Sequence, residues 1–471
     1  MRTDKMRVHP EDSTMHILCP ELFVKPRFPV IAQRNSSYSE RWHFTPQDTT
    51  KQEFLIIAEN SICDTLINEL RTYSEDVHAI YGYGIYLVSL ENATAAQLRS
   101  LIISYQNNLC GVLLVGDVGE AWYEIDQDPL TGYYEKWPCD LYFMDLDGTW
   151  TDSDNNGIFD GHSGNQNPDI FLARLSTVGL SGLGSESALI KRQLSKSHDF
   201  WWKSSFQSPE TALNYVGQNI NFCPNGQYLY PVFASHNYVD IRYNNYPISS
   251  TDFLTRLNSG NYGLTHLVCH STTTSHEITR AGQNVQTSDV INNTSGNYAI
   301  ILFCCYACYW KSSQPYYLGG AHLFNLGKTM AVIGTTKESA LGGASFLYSA
   351  FPAQNLGNAY LHWWTEINGE THTPDNVCDH YGITLLGDPT INFRHNVSNY
   401  CVNDLQLTSF PQDNESNLVL FRAANSITVS QNFIIPANVH VVFDAPTVTI
   451  NPEFTCPIGA SFEIRNEGCE L

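Results

Sequence analysis

The sequence predicts an α/β protein built on mainly parallel sheets and followed by a small all-β segment. Three observations carry this. From Phe54 onward, short apolar runs alternate with amphipathic stretches; several of the runs are apolar throughout rather than on alternate residues; and helical windows stop near residue 396. A strand buried on both faces reads as a continuous apolar run, and parallel neighbours need a crossover between them, usually a helix.

In chain order, residues 1–52 show turn residues without sustained periodicity and read as an extension or pro-segment. FLIIA (Phe54–Ala58) is the first strand, Ile62, Leu66 and Leu70 mark a helical face, and GIYLVSL (Gly84–Leu90) is the next strand. Thr94 is positioned to cap a helix through Leu98 to Tyr105, ahead of the buried strand GVLLVGD (Gly111–Asp117). After a turn-rich stretch come PDIFLARL (Pro168–Leu175) and a helix over Ser185–Trp201. A second series of strands follows: Thr211–Gln218, Tyr262–His270, Tyr298–Cys305 and Lys328–Thr336. GDPT (Gly387–Thr390) reads as the turn closing the last strand of this series. Beyond it, Ser426–Ile464 carries short alternating strands with Pro, Asn and Gly turns and a weak short-period repeat. The reading is an extension at 1–52, a first α/β subdomain at 53–205, a second at 206–396 and an all-β module at 402–471.

The chain has 471 residues, 42% of them hydrophobic, with 25 Lys and Arg against 47 Asp and Glu, a formal charge of −22. It is long enough to bury a core without disulfide staples. With no Lys/Arg run it has little to neutralise phosphates or anionic lipid, so nucleic-acid and membrane-surface partners are not expected. No run approaches the roughly 20 apolar residues of a membrane span; the longest lies around Tyr298–Cys305. His9, Glu11, Asp12 and Ser13 interrupt the N-terminus before an apolar export signal can form. Thirteen cysteines do not make an even, spaced framework, so a cytoplasmic or an exported location both remain open.

Two groups of residues point to chemistry. In DSDNNGIFD, the side chains of Asp152, Asp154, Asn156 and Asp160 and the carbonyl of Ile158 stand at positions one, three, five, nine and seven of a calcium loop. Gly157 occupies the sharp turn at six. Ser163 stands where the bidentate Glu of a helix–loop–helix site would be, so other oxygens must complete the sphere; a solvated acidic turn is the plain alternative. The second group is a His and Cys at neighbouring strand ends. His270 is followed by a run of small polar residues, and Cys304, Cys305 and Cys308 cluster at the end of the next strand. An imidazole beside a thiol yields a strong nucleophile. A soft-metal site is the rival reading, with Cys269, His270, His276, Cys305 and Cys308 as ligands and Cys305-x-x-Cys308 at ligand spacing. A thioredoxin-like pair would leave His270 and the acidic loop without a role. Lys337 and Glu338 read as a solvated strand-end pair or as substrate contacts, and Gly342 and Gly343 as a mobile loop.

The runs LVCHSTTTSH, IILFCCYACYW, DLYFMDLDGTWTDSDNNGIFDG, AVIGTTKE and YGITLLGDPTINF resemble gingipain-type cysteine peptidases over about Phe54 to Phe393. The resemblance implies a caspase-like α/β core and peptide-bond hydrolysis by a His and Cys dyad through a thioester. Carried over, His270 is the dyad His, with Ser271 where Gly is usual and His276 at an aromatic position. Cys305 fits the nucleophile position with Trp310 as the following aromatic, and Cys308 then replaces a Gly. A register ending in Ala307-Cys308 would choose Cys308, and Cys304 is a third option that strand alternation sends to the opposite face. Backbone N–H groups of Ser271 and Cys305 are the candidate oxyanion donors. The expected cofactor is structural Ca2+, with no organic cofactor, and the expected partner is a protein or peptide substrate. Oligomeric state and residue preference stay unassigned. The C-terminal module resembles those of secreted Bacteroidetes proteins, which favours a secreted or envelope location. The alternative is a catalytically inactive caspase-like protein that binds calcium and serves adhesion, motivated by Ser271 and Cys308.

Overall fold

The computed structural model describes residues 15–17, 38–126, 132–218, 220, 238–242, 247–279, 282, 284–294, 297–338, 355–368, 380–393, 395, 397–411, 414–430 and 432–471. Its centre is an eleven-stranded sheet. The strands are β1 (Tyr38–Phe44), β2 (Glu53–Glu59), β3 (Gly84–Leu90), β4 (Leu109–Val115), β5 (Phe171–Leu175), β6 (Thr211–Val216), β7 (Tyr238–Arg242), β8 (Leu264–Val268), β9 (Ala299–Phe303), β10 (Ala331–Thr335) and β11 (Ile383–Gly387). Their spatial order is β7-β6-β8-β9-β10-β11-β5-β4-β2-β3-β1. Every residue of β4, β5, β8, β9, β10 and β11 is buried, as expected of strands covered on both faces.

The sheet has two senses. Strands β7 to β10 are mutually parallel, β11 is antiparallel to β10 and parallel to β5, and the parallel run continues through β4, β2 and β3. The two α/β halves therefore share one sheet but present their strand C-termini on opposite rims. Strands β8, β9 and β10 end together on one of them.

The helices include α1 (Ile67–Tyr81), α2 (Ala95–Ser104), α3 (Glu186–Trp202) and α4 (Leu318–Leu323); α2 and α3 start where the sequence predicts them, and α4 is not among the helices expected from it. Thr94 caps α2 as anticipated: its hydroxyl accepts from the Gln97 N–H while Gln97 Oε1 accepts from the Thr94 N–H, a reciprocal box. Residues 38–44, read from sequence as part of an extension, instead form the edge strand β1, antiparallel to β3. The half-exposed YSERWHF, with Glu40 and Arg41 and an irregular register between Glu40 and Trp42, gives no continuous apolar signal. The segment around Gly342 and Gly343 lies outside the described residues.

The C-terminal strands stack in parallel coils. Asp404–Leu407, Ser426–Val429 and Thr447–Ile450 form one sheet, and Leu418–Arg422, His440–Asp444 and Ser461–Arg465 form a second. The repeat is about 22 residues, within the range of solenoid coils, and the two sheets enclose their own core of Val419, Ile427, Phe433, Val441, Phe443 and Val448. Residues 15–17 add an antiparallel strand to this module at Thr447–Ile450, and Cys401 and Cys469 are joined by a disulfide.

An ionic cluster joins the module to the α/β body. Arg422 Nε donates to Asp444 Oδ2 at 2.8 Å, its NH1 approaches Asp76 Oδ1 at 3.4 Å, and its guanidinium lies 4.2 Å from the Trp202 ring centre. Asp76, on α1, also accepts from Trp202 Nε1 and pairs with His198 Nδ1, each at 2.7 Å from α3. Burial raises the Asp76 pKa, but His198, Arg422 and Trp202 outweigh it and hold the carboxyl below its usual range. Burial likewise lowers the His198 pKa, and Asp76 more than reverses it.

Arg422→Ala leaves buried Asp444 without its cation and Asp76 with His198 alone, and is expected to cost about 3–5 kcal/mol in denaturant unfolding. The pH dependence has two edges. Stability from Asp76 is present above the unfolded carboxylate pKa of about 4 and is lost as pH falls through its lower folded value; stability from His198 is full below about 6.5 and is lost as pH rises through its raised folded value. Thermal unfolding should therefore give its highest Tm between about pH 4 and 6.5 for this pair's contribution, and His198→Ala should flatten the alkaline edge.

Candidate active site

Strands β8 and β9 pair in parallel from Leu264↔Ala299 to Val268↔Phe303, and the Cys269 N–H donates to the Phe303 carbonyl at 3.3 Å. His270 and Cys305 thus stand two residues beyond the last paired positions, level with each other on neighbouring strands. Alternation then separates the faces as the sequence suggested. Cys269 and Cys304 are buried with Sγ atoms 3.4 Å apart, whereas Cys305 is half-buried and His270 exposed.

His270 opens a small antiparallel sheet of His270–Ser271, Ser275–Glu277 and Asn284–Gln286, in which Ser271 pairs with His276. The Ser271 hydroxyl donates to the Cys305 carbonyl, a direct tie between the two strand ends. Ser271 does not have a positive φ, so a side chain in place of the usual Gly meets no backbone strain.

After Cys305 the chain turns sharply. Tyr306 adopts φ of 54°, its N–H donates to Lys337 O at 2.9 Å, and the Cys308 N–H donates to Thr335 O at 2.8 Å. Thr335 Oγ1 in turn donates to Cys304 O at 2.9 Å. The Tyr306 hydroxyl donates to Glu135 Oε1 at 2.7 Å, and burial together with that carboxylate pushes its pKa upward. Lys337 is fully buried rather than solvated: its ammonium sits 3.3 Å from Glu135 Oε2 and 4.8 Å from the Trp137 ring centre, so it pairs inside the protein with Glu135 and not at the surface with Glu338. A buried Lys needs such a partner, which sequence alone does not supply.

The three clustered cysteines separate by environment. Cys308 is fully buried, its Sγ lying 2.6 and 2.7 Å from where a Cβ on Gly319 or Gly334 would stand. Two missing side chains thus make the space that a Cys in place of Gly needs. Burial pushes its thiol pKa strongly up. Trp310 is buried under the Arg174 guanidinium at 5.1 Å, with Arg174 held by Asp140 at 2.7 Å.

The soft ligands that gather are not the set read from sequence. Among the described residues His270, Cys305 and Cys308 do not form a three-ligand group; instead Cys269, His276 and Cys304 bring one ligand atom each within 4.8 Å of one another. His276 Nδ1 is 3.7 Å from Cys269 Sγ and its Nε2 is 3.1 Å from His322 Nε2. Burial, and then His322, drive His276 well below its ordinary pKa, and burial lowers His322 to about 3. Burial first and then Cys304 raise the Cys269 thiol well above its own. His322 escaped sequence reasoning, although an ionisable residue inside the apolar segment LGGAHL of α4 is a detectable signal. Glu135 carries no such mark.

The acidic loop connects the antiparallel strands Thr149–Thr151 and Gly161–Ser163. Asp152 accepts from the N–H groups of Asn156 and Gly157 at 3.1 and 2.8 Å, Asn156 Oδ1 accepts from Ile158 N–H at 2.8 Å, and Asp160 accepts from Ser153 N–H at 3.1 Å. Gly157 has φ of 90°, the turn its position demands. Asn156 Nδ2 also reaches Glu124 Oε1 at 2.7 Å. The donor set is entirely oxygen, which suits a hard cation. Its carboxylates are spread over these backbone contacts, and the acidic group drawn within 4.8 Å among the described residues is a different one, Asp145, Asp147 and Asp169. Glu124 lies on the strand Trp122–Ile125, which pairs with Glu135–Pro138, so the loop is linked through one ribbon to the Tyr306 turn.

No helix of the described residues is long and apolar enough to cross a membrane. The chain is similar in structure to the Arg-specific cysteine proteinase gingipain R, with a TM-score of 0.53 at 14% identity over 78% of this chain and 84% of that one. A second solved protease gives 0.52 at 16% identity, over 74% and 79%. These likenesses agree with the α/β fold, and among curated proteins none matches significantly. The family profile of peptidase family C25 matches residues 47–394, most of the chain and both strand ends described above, and on that match the chain belongs to peptidase family C25, a cysteine-type peptidase family.

Proposed function

We propose that the protein is an endopeptidase that cleaves peptide bonds with Cys305 as nucleophile and His270 as its acid and base. The observation that supports the reading is the level register of β8 and β9, which ends the two strands together at His270, exposed, and Cys305, half-buried, while Cys304 and Cys308 are buried. Cys305 Sγ gives its proton to His270 and attacks the carbonyl carbon. The N–H groups of Ser271 and Cys305 receive the developing oxyanion. The C–N bond breaks as His270 returns the proton to the leaving amine, and a water deprotonated by His270 then hydrolyses the thioester, freeing the acid and the Cys305 thiol. The Ser271 hydroxyl on the Cys305 carbonyl supports this geometry by tying the two donors together. Ser271 and Cys308, the two departures that motivate an inactive binding protein, are each accommodated without strain or an opened core.

Calcium is the proposed structural ion, held by Asp152, Asp154, Asn156, the Ile158 carbonyl and Asp160. Its role here is to stiffen the loop that reaches Glu124, and through the ribbon Glu135 and the Tyr306 turn. The Cys401–Cys469 disulfide favours an exported protein, since such bonds persist in oxidising compartments.

A mixed fluorogenic peptide library, assayed with calcium and reductant, should be turned over by the parent. Cys305→Ala should lower kcat/KM by on the order of 10³-fold or more. Cys308→Ala should keep kcat within a few-fold while losing about 1–2 kcal/mol of stability to the small cavity. Loss confined to Cys308→Ala would move the nucleophile, and turnover retained in Cys305→Ala would remove this mechanism.

Chelation of calcium should lower the parent Tm by several degrees, restored by calcium and not by magnesium. Asp154→Ala should abolish that difference; an unchanged Tm in the parent would exclude the ion from this loop.

A further inference from the structure

The cluster beneath the dyad has no part in the acyl-transfer scheme. We propose that Cys269, Cys304 and His276 form a buried zinc site behind the two strand ends. A tetrahedral zinc with Zn–S of about 2.3 Å and Zn–N of about 2.0–2.1 Å sets S···S near 3.8 Å and S···N near 3.6 Å. The Cys269–Cys304 Sγ separation is 3.4 Å and the Cys269 Sγ to His276 Nδ1 separation 3.7 Å, with all three ligand atoms within 4.8 Å of one another. The ligands arrive from three structural pieces: the end of β8, the end of β9, and the strand Ser275–Glu277 that folds back over them.

Charge favours the same ion. Two thiolates and a neutral imidazole cancel Zn2+, so the loaded site adds no net charge to a region in which all three side chains are buried. The outer contact gives the second ring nitrogen a hydrogen-bond partner, as a metal-bound imidazole requires, here another imidazole. With Nδ1 on the metal, His276 carries its proton on Nε2 and donates it to His322 Nε2 at 3.1 Å. His322 is fully buried, and among the described residues its remaining nitrogen, Nδ1, has no hydrogen-bond partner, so its ring hydrogen bond here is to His276. Three protein ligands leave one tetrahedral position for water.

The proposal stands independently of the peptidase reading, and its test needs no turnover. The full chain is produced in medium supplemented with zinc alone, purified with reductant, and its metal content measured by mass spectrometry, for the parent and for a His270→Ala, Cys305→Ala double variant. About one zinc per chain is expected in both, falling at least tenfold in Cys304→Ala and in Cys269→Ala and not in Cys308→Ala. Growth with cobalt instead of zinc should give the parent a sulfur-to-cobalt charge-transfer band of two-thiolate intensity, a readout that does not depend on whether the cysteine variants fold. Zinc lost with the double variant would assign the metal to the dyad and overturn the site. So would zinc-free, folded parent with no charge-transfer band, or a Cys269–Cys304 disulfide in protein purified without reductant.

Discussion

The candidate site depends on the in-register parallel pairing of β8 with β9. Side chains on a strand alternate between faces, so a slip of one residue would exchange Cys304 for Cys305 at the rim and send the accessible thiol into the interior. The pairing is over-determined. Five register positions lie on β8 and β9, β10 pairs with β9 on the far side, and the Ser271 hydroxyl and Thr335 hydroxyl hold the carbonyls of Cys305 and Cys304. The exposed residues at the rim are thereby fixed by hydrogen bonds that begin in the buried part of the sheet.

The opposite senses of the two halves of the sheet give the rim its second wall. Strands β2, β4 and β5 end on the far rim, and so the first half of the chain reaches the Cys305 turn by another route, the ribbon of Trp122–Ile125 and Glu135–Pro138. Glu135 meets Tyr306, Lys337 and the Glu338 N–H at once. A buried carboxylate with a buried ammonium is stable only when both are well partnered, and here that condition makes the turn after Cys305 depend on residues about 170 positions earlier in sequence.

Much of this was legible in the sequence. Fully apolar runs ending abruptly on His270 and Cys305 marked both strands and the rim, and Thr94 and Gly157 announced their cap and turn because local chemistry demands those residue types. What escaped was set by distant partners. The space for Cys308 exists only because Gly319 and Gly334 face it, Lys337 is internal only because Glu135 is beside it, and β1 is a strand only because β3 offers an edge. The parallel coils of the C-terminal module were visible as a weak period, but which residues stack follows from register, and no single coil can bury its own apolar face.

The Cys401–Cys469 disulfide has a mechanical consequence. It joins the points where the coiled module leaves and returns to the α/β body, beside buried Val397 and the backbone pairing of Glu470 with Trp202 and Ser204. A pulling force applied beyond Cys469 therefore passes through a covalent bond to Cys401 and on into the body of the protein. The coils between them lie off the load path, so tension at that end cannot peel them apart one by one.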